Sequence, residues 1–427
     1  MKRLIFPALA AAGMTLFAAE ASAAKIDVHG FLLGTASVRT SSVPLATGEK
    51  RNYLLTESRL RLDLNADSDS GKTAMVAKID ALADSVSSNT SLEVRELYGE
   101  YLSDSFELRL GRQMATWGVA DRLFINDVFP KNWSAFYSGQ PLEYMKIGSD
   151  MVKTSVFGDG WDTEIALIPV AQYDVVPGTT RYQLAGNQML PVQAREKRLS
   201  GGEAAIRLHT AVGNTDIALY AFKGFWHQPD KGYTMVTANI TATNPTGMTT
   251  IYPRLNSFGA TVQDTLLGGV LSLETGYYDS IDDKAGTDPL IANSQYRYLV
   301  GYEHDIWTDI TLGLQLYGEI MKNYTAYYNA AQAAFLAGTG PKPVARHRKI
   351  GTVNIRSLWM NQTLTASLFA MGVAGGGRMA VPDLYYAVTD EFSVNLGAHV
   401  FWGGSNSWML GMMKNDDNVY ANAKWTF

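Results

Sequence analysis

The chain ends on residues 418–427, NVYANAKWTF. Val419, Ala421, Ala423, Trp425 and Phe427 take every second place, with Asn418, Tyr420, Asn422, Lys424 and Thr426 between them. A period of two belongs to a β-strand, whose successive side chains point to opposite faces. A terminal strand with Trp425 and Phe427 on one face invites aggregation if that face meets water. The stretch therefore predicts a strand whose apolar face packs on a core or meets something other than water.

The other end of the chain narrows the choice. Lys2 and Arg3 precede an apolar run from Leu4 to Ala19, and Ala21-Ser22-Ala23 follows. A positive head, a hydrophobic middle and an A-x-A site make a bacterial-type secretory signal. The run is short of the ~20 residues of a spanning helix. Cleavage is expected after Ala23, with residues 1–23 as signal peptide and 24–427 as the mature chain. No later stretch approaches ~18 uninterrupted apolar residues, so no spanning helix is expected. Hydrophobic residues make up 46% and charged residues 18%, a low charge content beside the ~25% of soluble domains.

Composition also excludes chemistry. Cysteine is absent, which removes disulfides, thiolate nucleophiles and c-type haem attachment. A net charge of −5 and a pI near 5.7 argue against a nucleic-acid partner. His29, His209, His227, His304, His347 and His399 are scattered and form no HExxH or other close metal set. No GxSxG elbow is present, and Gly375-Gly376-Gly377 is turn chemistry rather than a phosphate loop. No catalytic residue, metal or cofactor is expected.

Alternation recurs along the chain. Leu60, Leu62 and Leu64 oppose Glu57, Arg59, Arg61 and Asp63, and Met75, Ala77, Ile79 and Ala81 oppose Lys78 and Asp80. Ser91 to Leu102 is ambiguous, with acids at both parities, and Phe106, Leu108 and Leu110 oppose Glu107 and Arg109. Further strands are read at 152–157, 163–168, 203–209, 217–221, 254–266, 270–278, 295–303, 312–319, 352–359, 363–368, 384–389 and 392–400. Tight links at 67–71, 103–105, 158–160, 212–214, 304–306, 360–362 and 389–391 alternate with long ones at 39–53, 83–90, 116–148, 171–200, 227–253, 279–294, 322–346 and 403–417. An up-and-down barrel in a bacterial outer membrane alternates in this way, with short periplasmic turns and long extracellular loops. Lipid offers no hydrogen bonds, so a spanning sheet must close, with an apolar outer face. The expectation is an all-β, antiparallel transmembrane barrel of about eighteen strands, sixteen being the nearest alternative.

The last strand resembles the terminal signal by which the outer-membrane assembly machinery recognises barrels, and Trp425 and Phe427 carry that resemblance. The whole mature chain resembles a Gram-negative porin. LRLGRQMATWG, residues 108–118, resembles the strand-to-loop segment of several poorly characterised porin-like families. The resemblance implies an outer-membrane location, contact with outer-membrane lipid and lipopolysaccharide, and passage of small solutes. A homo-oligomer is among the states it allows. In such porins an early long loop folds into the lumen and narrows it. That role is carried to residues 116–147, with Trp117, Asp121, Arg122, Phe124, Phe129, Trp133 and Tyr137 as constriction residues. A short helix is expected over 121–128, ended by Pro130.

Strand parity nominates the residues that line the pore. Arg59, Arg61, Arg109, Arg207, Arg297, Arg348 and Arg356 fall on polar faces, and Arg95 and Arg112 are read with them. Glu57, Asp63 and Glu107 share those faces. A ring of arginines favours anions; a transverse network of ion pairs would instead stiffen the wall, and both readings stand. The expected function is passive or weakly selective diffusion of small solutes, with a leaning toward anionic or organic ones. The alternative is a structural barrel that holds a periplasmic or secreted protein in its lumen.

Overall fold

In the computed structural model the described residues are 24–41, 52–178, 181–183, 201–227, 233–235, 248–250, 252–289, 291–338, 342–404 and 408–427. The expected signal peptide, and parts of the expected loops 39–53, 171–200 and 227–253, lie outside them. The strands are β1 (Ala24–Arg39), β2 (Tyr53–Ser68), β3 (Thr73–Asp84), β4 (Asn89–Leu102), β5 (Phe106–Gln113), β6 (Ser149–Val156), β7 (Asp162–Ile168), β8 (Glu203–Val212) and β9 (Thr215–Phe225). A small hairpin, β10 (Tyr233–Met235) and β11 (Met248–Thr250), stands in one loop. Then come β12 (Arg254–Leu266), β13 (Gly269–Ser280), β14 (Gln295–Trp307), β15 (Ile310–Met321), β16 (His347–Trp359), β17 (Leu364–Val373), β18 (Gly377–Ala387), β19 (Phe392–Gly403) and β20 (Asn418–Thr426).

Eighteen of these form one antiparallel sheet. β1 pairs with β2 on one side and with β20 on the other, so the sheet closes and leaves no edge. It is a transmembrane up-and-down barrel, with short periplasmic turns and long extracellular loops. The outward parity carries the apolar belt. Phe258, Val300, Leu316, Leu396 and Val419 are all exposed, as lipid-facing side chains must be. Trp425 and Phe427 lie on that face with ring centroids 5.5 Å apart. The final residue extends the seam, because Phe427 and Gly30 exchange backbone hydrogen bonds of 2.9 and 3.0 Å.

Two differences from the sequence expectation have clear causes. The ambiguous parity of β4 is a bulge. Lys78 opposes Glu96 while Ile79 opposes Val94, so Arg95 is the extra residue and along β4 the inward set changes from odd to even. Acids at both parities therefore all face inward. The strand expected at 384–389 begins much earlier, at Gly377. Its alternation is hidden because Met379 and Val381 on its inward side are as apolar as Ala380 and Pro382 on the other. The inward side is apolar because it packs against a loop inside the barrel.

Strand length decides where that loop enters. Arg112 of β5 pairs with Leu97, while β4 continues up to Asn89. β5, β6 and β7 have 8, 8 and 7 residues, against 16 in β1 and in β2. Residues 114–148 therefore leave the wall part-way up, where the lumen lies beside them.

Candidate functional site: a loop anchored across the lumen

Loop 114–148 crosses the barrel and returns. The Trp117 indole N–H donates to Glu164 on β7. Glu274 on β13 then accepts from the backbone N–H of Val119 at 3.1 Å, the backbone N–H of Asn126 at 2.7 Å and the Asn126 side-chain amide at 3.0 Å. The Tyr278 hydroxyl donates to the Ile125 carbonyl. Asp121 accepts from Asn354 on β16 at 3.3 Å, and the Arg122 guanidinium lies 4.1 Å over the Phe369 ring of β17. On the return, Asn418 and Asn422 of β20 donate to the carbonyls of Tyr137 at 3.3 Å and Gly139 at 3.1 Å. Gln140 donates to Glu57 on β2 at 3.1 Å.

Two glycines permit this approach. A Cβ on Gly118 (φ +80°) would lie 2.7 Å from a Glu274 oxygen, and one on Gly139 (φ +81°) would lie 2.3 Å from the Tyr420 ring. Both combine a backbone that L side chains rarely adopt with no room for one. The expected helix over 121–128 is absent. The loop's helix is Trp133–Tyr137, where the Asn132 side chain accepts from Ala135 N–H and caps it. Within segment 121–128, Asn126 instead gives its backbone and side-chain N–H groups to Glu274.

The loop's underside is apolar. Trp117, Leu123, Ile125, Phe129, Trp133, Phe136 and Tyr137 are buried with inward residues Leu299, Tyr317, Ile350, Phe369, Met371 and Phe401. Each large side chain buried in this way is worth about 1.5–3 kcal/mol, so the loop is docked, not draped. Phe124 packs edge-on against Trp133, ring centroids 5.8 Å apart.

Residues 169–178 and 181–183 also pack inward against the loop. Asp174 accepts from Lys131 N–H and from the Trp133 indole, both at 2.8 Å. Val175 and Trp133 pair through their backbones. Arg181 donates to the Leu54 carbonyl at 2.7 Å and pairs with Asp84 at 2.6 Å. Gln183 N–H donates to Asp416 at 2.7 Å, and Asp416 pairs with Arg39 at 3.2 Å. Sequence reasoning missed this segment, since one aspartate in a long loop carries no signal of its own.

Asp416 is buried, and burial pushes its carboxyl up to about 6 from an ordinary 3.8. The folded state thus holds a proton that the unfolded chain has released between pH 4 and 6. Stability from this group is fully present below pH 4 and falls as pH rises toward 6, by about 3 kcal/mol. Asp416→Asn should flatten that part of the melting profile. Parallel wild-type and variant profiles from pH 4 to 6 would show that Asp416 is not the group.

The nominated arginines divide into several settings. Arg59 and Arg61 are inward but only 4% and 3% exposed. Arg59 pairs with Glu57 at 2.8 Å, Asp80 at 2.6 Å and Glu93 at 3.6 Å. Arg61 donates to Asp80 at 2.9 Å and to the Tyr144 hydroxyl at 3.2 Å, and lies 3.9 Å from Asp63. Arg59 and Arg95 lie over the Tyr144 ring at 4.1 and 4.6 Å, and Arg95 donates to the Glu143 carbonyl at 2.8 Å. These three arginines clamp the end of the loop and are not a ring open to water. Arg109 pairs with Glu100 at 2.7 Å and with Glu107. Arg207, Arg297 and Arg356 hold inward register positions on β8, β14 and β16. Arg112 differs from the expectation: it shares the outward parity of Leu108 and Leu110 and pairs with Asp150 at 2.7 Å. The ladder register places it, and the end of a strand had hidden that register.

Asp80 was read only as a polar-face residue, yet it is 0% exposed and joins Arg59 to Arg61. Breaking a buried pair costs about 3–5 kcal/mol, because it strands the partner charge. Asp80→Asn should lower the temperature at which the barrel loses its heat-modifiable form on a gel. An unshifted transition would show that the clamp bears no load.

A cleft opens toward the extracellular side between the loop and the wall of β9 and β12–β16. Its lining includes Phe124, Lys131, Trp226, Tyr278, Arg297, Glu319 and Arg348. Glu319 lies between two guanidiniums: Arg348 donates to it at 2.8 Å, and Arg297 is 3.6 Å away.

No protein-family model matches the chain, and no curated protein matches it. Solved structures do. The chain is similar to OccAB2 of Acinetobacter baumannii, with 11% identity and a TM-score of 0.55, over 94% of this chain and 98% of that one. It is also similar to OccK5 (OpdH) of Pseudomonas aeruginosa, with 9% identity and a TM-score of 0.55, over 94% and 97%. OccK11 (OpdR) of the same organism has 7% identity and a TM-score of 0.52, over 94% and 96%. The fold is that of the Gram-negative outer-membrane porins; at these identities the likeness is one of fold.

Proposed function

We propose that the chain is exported by residues 1–23 and works in the outer membrane as a passive diffusion channel for small solutes. The observation that supports this most is the loop anchored to the far wall at Glu274. It narrows a closed barrel while an extracellular cleft leads down to it. Solutes are sorted by size at the loop and, more weakly, by charge, with Arg207, Arg297 and Arg356 as the inward cations. The clamp arginines Arg59, Arg61 and Arg95 act through the loop's position, since carboxylates and Tyr144 surround them. The alternative, a sheath around a protein partner, fits poorly, because the chain's own loops already fill the middle of the lumen.

Reconstitution in planar bilayers tests the reading. Stepwise insertion of ion-conducting units is expected, with conductance near-linear in salt. A barrel that inserts and stays silent under every salt and voltage would end it.

A further inference from the structure

We propose that the outer face of the barrel, at the extracellular ends of β13–β16, is a docking surface for a phosphorylated, acylated disaccharide, the lipid A anchor of lipopolysaccharide. The inference rests on the outer-membrane part of the reading above and names the lipid held at one place on the wall. Tyr277 of β13 and Tyr296 of β14 are register partners whose ring centroids lie 4.9 Å apart. Both share the outward parity of Leu273 and Val300 in the apolar belt. Lys322, just past the end of β15, lies over both rings, 4.9 Å from the Tyr277 centroid and 5.8 Å from that of Tyr296. It donates to the Tyr277 hydroxyl at 3.2 Å. A cation is thus fixed on an aromatic step where the belt meets the extracellular side.

A second cation stands on the same face. Lys349 of β16 is exposed and opposes Gly318 of β15, across which the Tyr298 ring lies. Among the described residues neither Lys322 nor Lys349 has a carboxylate partner. The acids of this rim hold other cations: Asp282 pairs with Arg254 at 2.6 Å, and Asp279 with Lys284 at 3.4 Å. β13 to β16 are three strand spacings, about 14 Å, which lets a disaccharide lie across them with a phosphate toward each lysine. Ammonium groups suit phosphate. The face of Tyr296, 48% exposed, suits a sugar ring, as amphipathic aromatics do at a membrane interface. Below it the exposed Phe258, Val300 and Leu316 continue the belt along which acyl chains run. A diacyl phospholipid has one phosphate and no sugar ring, so it meets only part of this surface.

Native mass spectrometry of the delipidated barrel in detergent, titrated with bis-phosphorylated lipid A, its mono-phosphorylated form and phosphatidylglycerol, tests this without requiring conduction. Bis-phosphorylated lipid A is expected to be retained best, with the mono-phosphorylated form about fivefold weaker, the worth of one lysine near an anionic lipid. Lys322→Gln and Lys349→Gln should each weaken lipid A about fivefold. Tyr296→Leu, which keeps apolar bulk and loses the ring face, should weaken it as well. Lys72→Gln, on an exposed periplasmic turn, should leave it unchanged. Heat-modifiable migration checks folding; if Lys322→Gln fails it, Lys349→Gln carries the test. Equal retention of phosphatidylglycerol, displacement of lipid A by inorganic phosphate, affinity unmoved by the folded rim variants, or the same loss in Lys72→Gln would overturn the proposal. Lipid A retained by a barrel that never conducts would keep the surface and sink the channel; conduction without a preference for lipid A would sink the surface alone.

Discussion

Replacing Glu274 by alanine should raise the single-channel conductance and make it noisy, because the loop loses its hold on the far wall. Glu274 is 3% exposed and accepts three hydrogen bonds from Val119 and Asn126. Bonds to a charged acceptor are worth about 1.5–3 kcal/mol each, and their loss strands buried N–H groups. Even one such bond's worth of net loss, about 3 kcal/mol, shifts the docked-to-undocked ratio by about a hundredfold. Glu274→Gln keeps the shape and one acceptor oxygen, so its effect should be smaller. Asn126→Ala removes the other end of one of these bonds, that of the side-chain amide, and combining it with Glu274→Ala should add less than the sum of the single changes. Alanine barrels that fold and conduct at the steady wild-type level would show that the apolar packing under the loop holds it without Glu274.

Changing Phe427 to aspartate should sharply reduce the folded barrel in membranes while barely altering refolding in vitro. The ring is on the outward face at the periplasmic rim, 46% exposed. A charge there costs only about 0–1 kcal/mol, as it does near any membrane interface. The backbone pairing with Gly30 does not depend on the side chain. A large loss in cells therefore cannot come from stability and points to recognition of the last strand during assembly. Two measurements separate the cases: heat-modifiable protein in isolated membranes, and refolding from urea into lipid vesicles. Wild-type abundance in membranes would remove the terminal-signal reading; failure in both would mean that the ring is needed for barrel closure itself.

The period-two pattern was enough to determine the class of the fold. Leu60, Leu62 and Leu64 against Arg59, Arg61 and Asp63 specify a strand with one lipid face and one lumen face, since a one-residue slip would put charges into lipid. Residues 418–427 do the same for the closing strand. Where both faces are apolar the pattern fades, which is why most of Gly377–Ala387 was not legible: Met379 and Val381 serve the loop, not lipid. The loop's presence could be read from its length and aromatic content. Its anchors could not, because Glu274, Asn354 and Asn422 are hundreds of residues from it or on strands whose polar faces look alike. The arginines show the same limit. Parity placed Arg59 and Arg61 inward, but only the fold brought Asp80 and Tyr144 to them and turned a set of lumen charges into a buried clamp. Alternation is a local property of consecutive residues, whereas ion-pair partners and loop docking depend on closure of the barrel, which brings distant strands around one lumen.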